Sequence, residues 1–183
     1  MLTYTLRIEL LEIAPPIFRR VSVPASITLA QLHKVIQIAM GWENSHIYLF
    51  EIGRDRYGEG LSEWNAFGQR VLNAKRTTLQ DVASRRGPRF LYTYDTGDGW
   101  DHEIKVEAIA AAPSGKIRCL EGKRNCPPED CGGPYGYQEL LEKLFDPTHS
   151  EHQEIKEWAG DFFPGTFSLE AVNRRLARLK AGA

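Results

Sequence analysis

The chain has 183 residues, of which 42% are hydrophobic and 26% charged, the balance of a globular protein that can bury a core. Its formal net charge of -1 argues against a generic nucleic-acid binder, which would be basic overall or carry a basic stripe. No apolar run approaches the ~18 residues that a membrane span needs, and we expect no secretion signal in the N-terminal stretch.

The three cysteines indicate the redox compartment. The chain has an odd number of cysteines, namely Cys119, Cys126 and Cys131, which does not suggest a disulfide framework. Without a secretion signal, we expect them to be reduced thiols in a cytoplasmic protein.

The N-terminal third carries strong local signals. Alternating apolar and polar residues predict strands over Leu2–Leu10 and Ile17–Val23. Thr28 followed by Gln31 forms a capping-box pattern, which predicts that a helix begins there. Gly41 stands where such a helix would end.

The middle of the chain predicts more strands. A third strand is expected over His46–Ile52, followed by a surface loop from Gly53 to Gly68 that is rich in glycine and charge. Trp64 and Phe67 are expected to tuck back from that loop. The stretch Phe90–Glu107 reads as a hairpin, because two alternating runs flank the turn residues TGDG.

The C-terminal part is predicted to be irregular and then helical. Prolines and glycines in Cys119–Tyr137 exclude long regular structure. Three helices are expected after it, the second capped by Ser150, with Trp158 buried, and the third capped by Ser168. We therefore predict a single α+β domain, with a β-grasp-like mixed sheet packed on one helix over 1–110 and a C-terminal three-helix extension over 116–180.

Five motifs point to a family. They are PPIFRRVSVP, TLAQLHKVIQIAMGWENSHIYLFEI, YDTGDGWDHEIKVE, CLEGKRNCPPEDCGGPYGYQELL and EWAGDFFPGTFSLEAVNRRL. From Tyr4 to Leu176 the chain resembles the plasmid pRiA ORF-three-like family, also labelled insertion-element passenger TnpR proteins. The resemblance implies an α+β fold and a link with mobile elements, without a particular activity. The pattern of a serine resolvase, a nucleophilic serine with an arginine cluster and a helix-turn-helix, is not found.

The hairpin tip holds the densest group of ionisable side chains at a turn, namely Asp95, Asp98, Asp101 and His102. Carboxylates on a tight loop can bind a hard cation, and a carboxylate with a histidine can perform acid–base chemistry. The alternative is that the aspartates shape the turn while His102 begins a strand.

The cysteines offer a zinc site as a second hypothesis. Zinc takes about four nitrogen or sulfur ligands, and here the spacing C-x6-C-x4-C lacks the usual close pair. A fourth ligand would be His102 or His46. The alternative is three free thiols in a rigid, proline-packed loop.

Two further pairs are candidate binding residues. Glu129 and Asp130 precede two glycines whose backbone N–H groups could form an anion-binding nest, although a loop that caps the next helix explains the same pattern. His33 and His46 could converge on one site, or each could be a half-buried structural histidine.

The functional hypotheses belong to three classes. The first is a binding or interaction module for a protein or small-molecule partner, which needs an exposed apolar patch or an open sheet edge. The second is a metal-dependent or hydrolytic enzyme centred on the Asp95–His102 tip, which needs a pocket. The third is nucleic-acid binding through basic and aromatic side chains: Arg19, Arg20, Trp42, Trp64, Trp100, Arg174 and Arg175.

Overall fold

The computed structural model describes residues 1–59, 70–84, 88–112 and 115–179. The strands over these residues are β1 (Leu2–Leu10), β2 (Phe18–Pro24), β3 (Tyr48–Ile52), β4 (Asp55–Gly58), β5 (Val71–Asn73), β6 (Arg89–Tyr94), β7 (Trp100–Ala111) and β8 (Arg118–Lys123). The helices are α1 (Leu29–Met40), α2 (Leu79–Val82), α3 (Gly133–Phe145), α4 (His152–Ala159) and α5 (Leu169–Leu176).

All of these strands belong to one sheet, in the order β5-β4-β3-β6-β7-β1-β2-β8. Neighbouring strands are antiparallel, except for the parallel pair β4 and β5 at one edge. The long strands β1 and β7 pair over most of their length and form the centre of the sheet. The predicted α+β fold with a mixed sheet is confirmed.

Helix α1 forms as its sequence predicts. Thr28 accepts a hydrogen bond from the Gln31 backbone, the Gln31 side chain closes the capping box, and Gly41 ends the helix in the left-handed region at φ 118°. An apolar stripe along α1 lies in the same core cluster as the inward side chains of the sheet. Burial of such a stripe, more than helix propensity, stabilises a helix of this length.

Two predicted loops contain strands. Strand β4 lies within the predicted 53–68 loop, where it pairs with β3 through backbone bonds that the charged sequence DRYG does not reveal. Trp64 and Phe67 lie outside the described residues. The Cys119–Tyr137 stretch, predicted to lack long regular structure, begins within the six-residue strand β8, which pairs with β2.

The predicted three-helix extension is confirmed, with two corrections. Helix α4 begins after Glu151, without a side-chain cap, so Ser150 is not its cap. Trp158 is 51% exposed, because α4 is a short surface helix with no buried residue. Ser168 caps α5 as predicted.

Helix α5 covers the β8 edge of the sheet. The Asn173 side chain accepts a hydrogen bond from the Cys119 N–H and donates one to the Cys119 carbonyl, each at 2.9 Å. The amide thus satisfies backbone groups that an edge strand would otherwise expose. None of the helices in the described part of the chain has the length and apolar character needed to cross a membrane.

Candidate metal centre at the hairpin tip

A histidine and three carboxylates from three distant segments meet at the surface. The Nε2 atom of His46 lies 3.0 Å from Asp130 Oδ1, 3.6 Å from Asp95 Oδ2 and 3.9 Å from Glu129 Oε2. His46 precedes β3, Asp95 follows β6, and the other two lie in the loop before α3. Since carboxylates repel one another, this grouping favours a cation at its centre.

The spacing of these atoms suits a metal ion. One ligand atom from each of His46, Asp95 and Asp130 can be chosen so that all lie within 4.8 Å of one another. Ligands that sit about 2.1 Å from a metal are roughly 3–3.5 Å apart when adjacent. Small side-chain movements would therefore bring all three atoms to bonding distance of one ion.

The His46 imidazole is poised for such a role. Its Nε2 atom is shielded from solvent and has no hydrogen-bond partner within the described ranges. The nearest carboxylate oxygen, Asp130 Oδ1 at 3.0 Å, makes an ion-pair contact with Nε2 and no hydrogen bond. A buried polar atom without a partner costs free energy, and a bound ion would remove that cost.

The hairpin turn aims Asp95 at this site. Its Oδ1 atom accepts hydrogen bonds from Gly97 N at 2.9 Å and Asp98 N at 3.4 Å, so the turn occupies that oxygen. The Oδ2 atom is the one that faces His46. Asp95 itself adopts a positive φ of 52°, which aspartate tolerates better than most residues.

Tyr94 orients Glu129, a role that no local pattern in the sequence predicts. The Tyr94 hydroxyl accepts a hydrogen bond from Ser45 N at 2.9 Å and donates to Glu129 Oε1 at 3.0 Å. The Glu43 N–H also donates to Glu129 Oε1, at 2.8 Å. Burial, followed by the nearby Glu129 charge, raises the pKa of Tyr94 to about 12, so the phenol remains a donor.

The hairpin tip and the loop before α3 touch directly. Gly132 N donates to the Asp98 carboxylate at 3.1 Å. A Cβ atom on Gly133 would lie 2.2 Å from the Asp98 carbonyl oxygen, so only glycine permits this approach. The sequence left open whether these two regions meet; they form one surface.

A buried arginine holds the loop from behind. Arg19 is only 1% exposed and stacks on the Phe167 ring at 4.3 Å. Its guanidinium donates hydrogen bonds to the backbone carbonyls of Phe18, Ala39, Lys123 and Arg124. It thus ties the end of α1 to the start of the loop that carries Glu129 and Asp130.

His33 is structural and is not one of the clustered ligand residues. It stacks on Tyr48 at 3.7 Å and bonds Tyr92 OH through Nδ1 at 2.8 Å and Asn44 Oδ1 through Nε2. Because the Asn44 oxygen only accepts, Nε2 carries a hydrogen, and Nδ1 can accept from the Tyr92 hydroxyl. Burial lowers the pKa of His33 to about 4.

The side chains of Asp101 and His102 lie on opposite faces of β7, next to the hairpin tip. Asp101 accepts a hydrogen bond from Thr93 Oγ1 at 2.5 Å. His102 is fully buried, and its Nδ1 lies 3.0 Å from the Trp100 carbonyl. Burial lowers the pKa of His102 to about 4. Of the four predicted tip residues, only Asp95 faces the cluster, and Asp98 supports it.

The cysteines are free thiols and do not take part in the cluster. Burial raises the pKa of Cys126, and it raises that of Cys131 to about 12. No group of three metal-ligating side chains in the described part of the chain includes a cysteine.

Most of the basic and aromatic residues considered for nucleic-acid binding are buried or form other contacts. Trp42, Trp100 and Arg19 are buried, and Arg20 pairs with Glu107 at 2.7 Å. Trp64 lies outside the described residues. The buried side chains cannot stack on bases or contact phosphate.

The fold and the cluster define an α+β protein with a mixed eight-stranded sheet and a histidine–carboxylate site at one hairpin tip. The chain belongs to the plasmid pRiA4b ORF-3-like protein family, whose model matches residues 2–175. It is 40% identical over 181 residues to "Uncharacterized protein y4hQ" of Sinorhizobium fredii, covering 96% of this chain and 91% of that protein.

A solved structure shares the fold. It is the crystal structure of the protein of unknown function MM3350 from Methanosarcina mazei Go1, with a TM-score of 0.80 and 34% identity. The match covers 92% of this chain and 96% of that one.

Proposed function

We propose that this protein is a divalent-cation-binding module. His46, Asp95 and Asp130 are the ligands, and Glu129 is held close enough to become a fourth. The observation that supports the proposal most strongly is the convergence of one imidazole and two carboxylates from separate segments to within 4.8 Å. Among the described residues, His46 Nε2 has carboxylate oxygens nearby but no hydrogen bond, which adds support.

The donor set favours a transition metal. Oxygen ligands alone suit Mg²⁺ or Ca²⁺, whereas an imidazole favours ions such as Zn²⁺, Fe²⁺ or Mn²⁺. One nitrogen among several carboxylate oxygens therefore points to Mn²⁺, Fe²⁺ or Zn²⁺. The proposal replaces the two metal hypotheses drawn from sequence. In one of them the cysteines bound zinc with His102 or His46, and in the other the hairpin tip supplied the ligands.

Calorimetric titration tests the proposal. Chelator-free protein would be titrated with Mn²⁺, Zn²⁺ and Mg²⁺, and elemental analysis would measure the metal that co-purifies. We expect one site that prefers Mn²⁺ or Zn²⁺ over Mg²⁺, and at least a tenfold loss of affinity in His46→Ala and Asp130→Asn. His149→Ala removes a histidine outside the cluster and should bind like wild type. Equal affinity in all four proteins would reject the site.

A metal-dependent hydrolase is the second candidate, and the exposure of the cluster favours it. The Asp130 side chain is 73% exposed, so a metal there would keep positions open to water or substrate. A bound metal can supply a nucleophilic hydroxide at neutral pH. Hydrolysis of bis(p-nitrophenyl) phosphate by the Mn²⁺-loaded protein, lost in His46→Ala, would support this role, and equal rates in both proteins would exclude it.

The proposal also includes a cytoplasmic location, a single domain and a protein partner. The three free cysteines support a reducing compartment. One hydrophobic cluster spans strands, α1 and α5, which supports a single domain made of the 1–110 core and the 116–180 extension. Phe145 and Phe163 are exposed, with ring centroids 6.4 Å apart, and such surface aromatics are typical of protein contacts.

A further inference from the structure

A large groove lies on a different part of the molecule from the cluster. It has a volume of about 1430 Å³ and runs between the start of α1, the strand β8 and the end of α5. Its apolar lining comprises Ile27, Ile117, Leu120, Leu176 and Leu179. Its described lining residues include none of the cluster around His46.

The charges around this groove have one sign. Its cations are Lys34, Lys116, Arg118 and Arg178, and no aspartate or glutamate is among the described residues that line it. None of the four takes part in an ion pair within the described ranges, whereas Arg20 and Arg89 elsewhere pair with glutamates. In a chain with a net charge of -1, four cations that have no ion pair among the described residues are a local excess around one apolar groove.

Helix α1 begins at this groove. Thr28 and Gln31, from its N-terminal turn, line the groove, and no acidic residue occupies that turn. A helix N-terminus carries a partial positive charge that acidic residues usually offset. The N–H groups of this turn already donate to the Thr77 and Ala74 carbonyls and to Thr28 Oγ1, so the positive character of the groove comes mainly from its lysines and arginines.

We propose that the groove binds an amphiphilic anion, a molecule with an apolar chain and a carboxylate or phosphate head. The apolar lining removes the chain from water, at roughly 25 cal/mol for each Å² buried. The lysines and arginines bind the head, and the guanidinium groups of Arg118 and Arg178 match either oxyanion. The groove exceeds the roughly 300–1,000 Å³ of pockets for drug-sized ligands, which leaves room for an extended chain.

Calorimetry with short-chain amphiphiles below their micelle concentration tests the inference. Dodecyl phosphate and dodecanoate carry the two candidate head groups. The compound that binds more tightly identifies the preferred head group. Dodecyl maltoside has the same chain without charge, and inorganic phosphate has the charge without the chain. We expect at least tenfold tighter binding of one anionic amphiphile than of either control compound. Equal binding of dodecyl maltoside, or of inorganic phosphate, would overturn the proposal.

Matched variants locate the site. Arg118→Glu reverses an exposed cation of the groove and should weaken binding of the preferred anion at least tenfold, with a reduced dependence on salt. Lys156→Glu makes the same charge change on α4, outside the groove, and should bind like wild type. Leu120→Asn alters the apolar lining at an exposed position and should also weaken binding. Thermal unfolding would confirm that all three variants fold, and unchanged binding in both groove variants would place the ligand elsewhere.

Discussion

The imidazole of His46 and the carboxylate of Asp130 approach to 3.0 Å, although one residue precedes β3 and the other precedes α3. No stretch of unfolded chain would hold them together. A metal bound between them would therefore bind the native state and not the unfolded chain. Metal binding and stability are linked for this reason.

The first prediction is a metal-dependent rise in stability. An ion at a hundred times its dissociation constant should add about 2.7 kcal/mol to the free energy of unfolding, or roughly 5–10 °C in Tm for a chain of this length. Thermal unfolding with and without Mn²⁺ or Zn²⁺ measures this. His46→Ala should show little of the shift, and an equal shift in that variant would place the metal elsewhere.

The contact between Gly133 and Asp98 gives the second prediction. In Gly133→Ala the new Cβ would lie 2.2 Å from a backbone oxygen, at a φ of 70°. We expect a loss of about 2–3 kcal/mol in stability and weaker metal binding, because the loop must move away from the tip.

Gly53→Ala is the matched control for this change. Gly53 has a similar φ of 66°, but a Cβ atom added to it would have no neighbour within 4 Å. This variant should lose only about 1 kcal/mol, from backbone strain alone, and keep its metal affinity. If both variants lose the same stability, the close approach of the loop and the tip is not important.

Arg19 provides the third prediction. Its guanidinium serves four carbonyls in the interior, so Arg19→Met leaves buried acceptors without a donor. The expected loss is about 3 kcal/mol in the free energy of unfolding, measured in urea. Metal affinity should fall as well, because Arg19 anchors the loop that carries Asp130.

The neighbouring arginine is its control. Arg20 forms a surface pair with Glu107, with 41% of its side chain exposed. Exposed ion pairs contribute about 0–1 kcal/mol, so Arg20→Met should be nearly neutral. A loss of similar size in the two variants would show that the buried carbonyls do not depend on Arg19.

Local sequence patterns were enough to predict the helices, strands and turns whose formation depends on residues close together in the chain. The capping box at Thr28 and the glycine at Gly41 predicted both ends of α1. The turn chemistry of the hairpin predicted its tip. Strands β4 and β8 escaped prediction because their partners supply the backbone bonds, and neither DRYG nor the start of CLEGKRNC alternates clearly.

The sequence predicted which kinds of residue form the candidate site, but not which of them lie together in space. Asp101 and His102 are adjacent on a strand, so their side chains must face opposite sides, and this rule alone separates them. The approach of His46 to Asp130 depends on how the loop before α3 packs on the sheet. Local sequence does not contain that information.

The fourth prediction concerns pH. Burial lowers the pKa values of His33 and His102 to about 4 in the folded protein, whereas an unfolded histidine titrates near 6.5. Between these values the unfolded chain binds more protons, so stability is present above about pH 6.5 and is lost as the pH falls toward 4. Protonation of each histidine in the unfolded chain should lower the free energy of unfolding by about 2 kcal/mol between pH 7 and pH 5. Urea unfolding at both values measures this, and His102→Gln or His33→Gln should flatten the profile. An unchanged pH dependence in both variants would contradict the neutral, buried state of these rings.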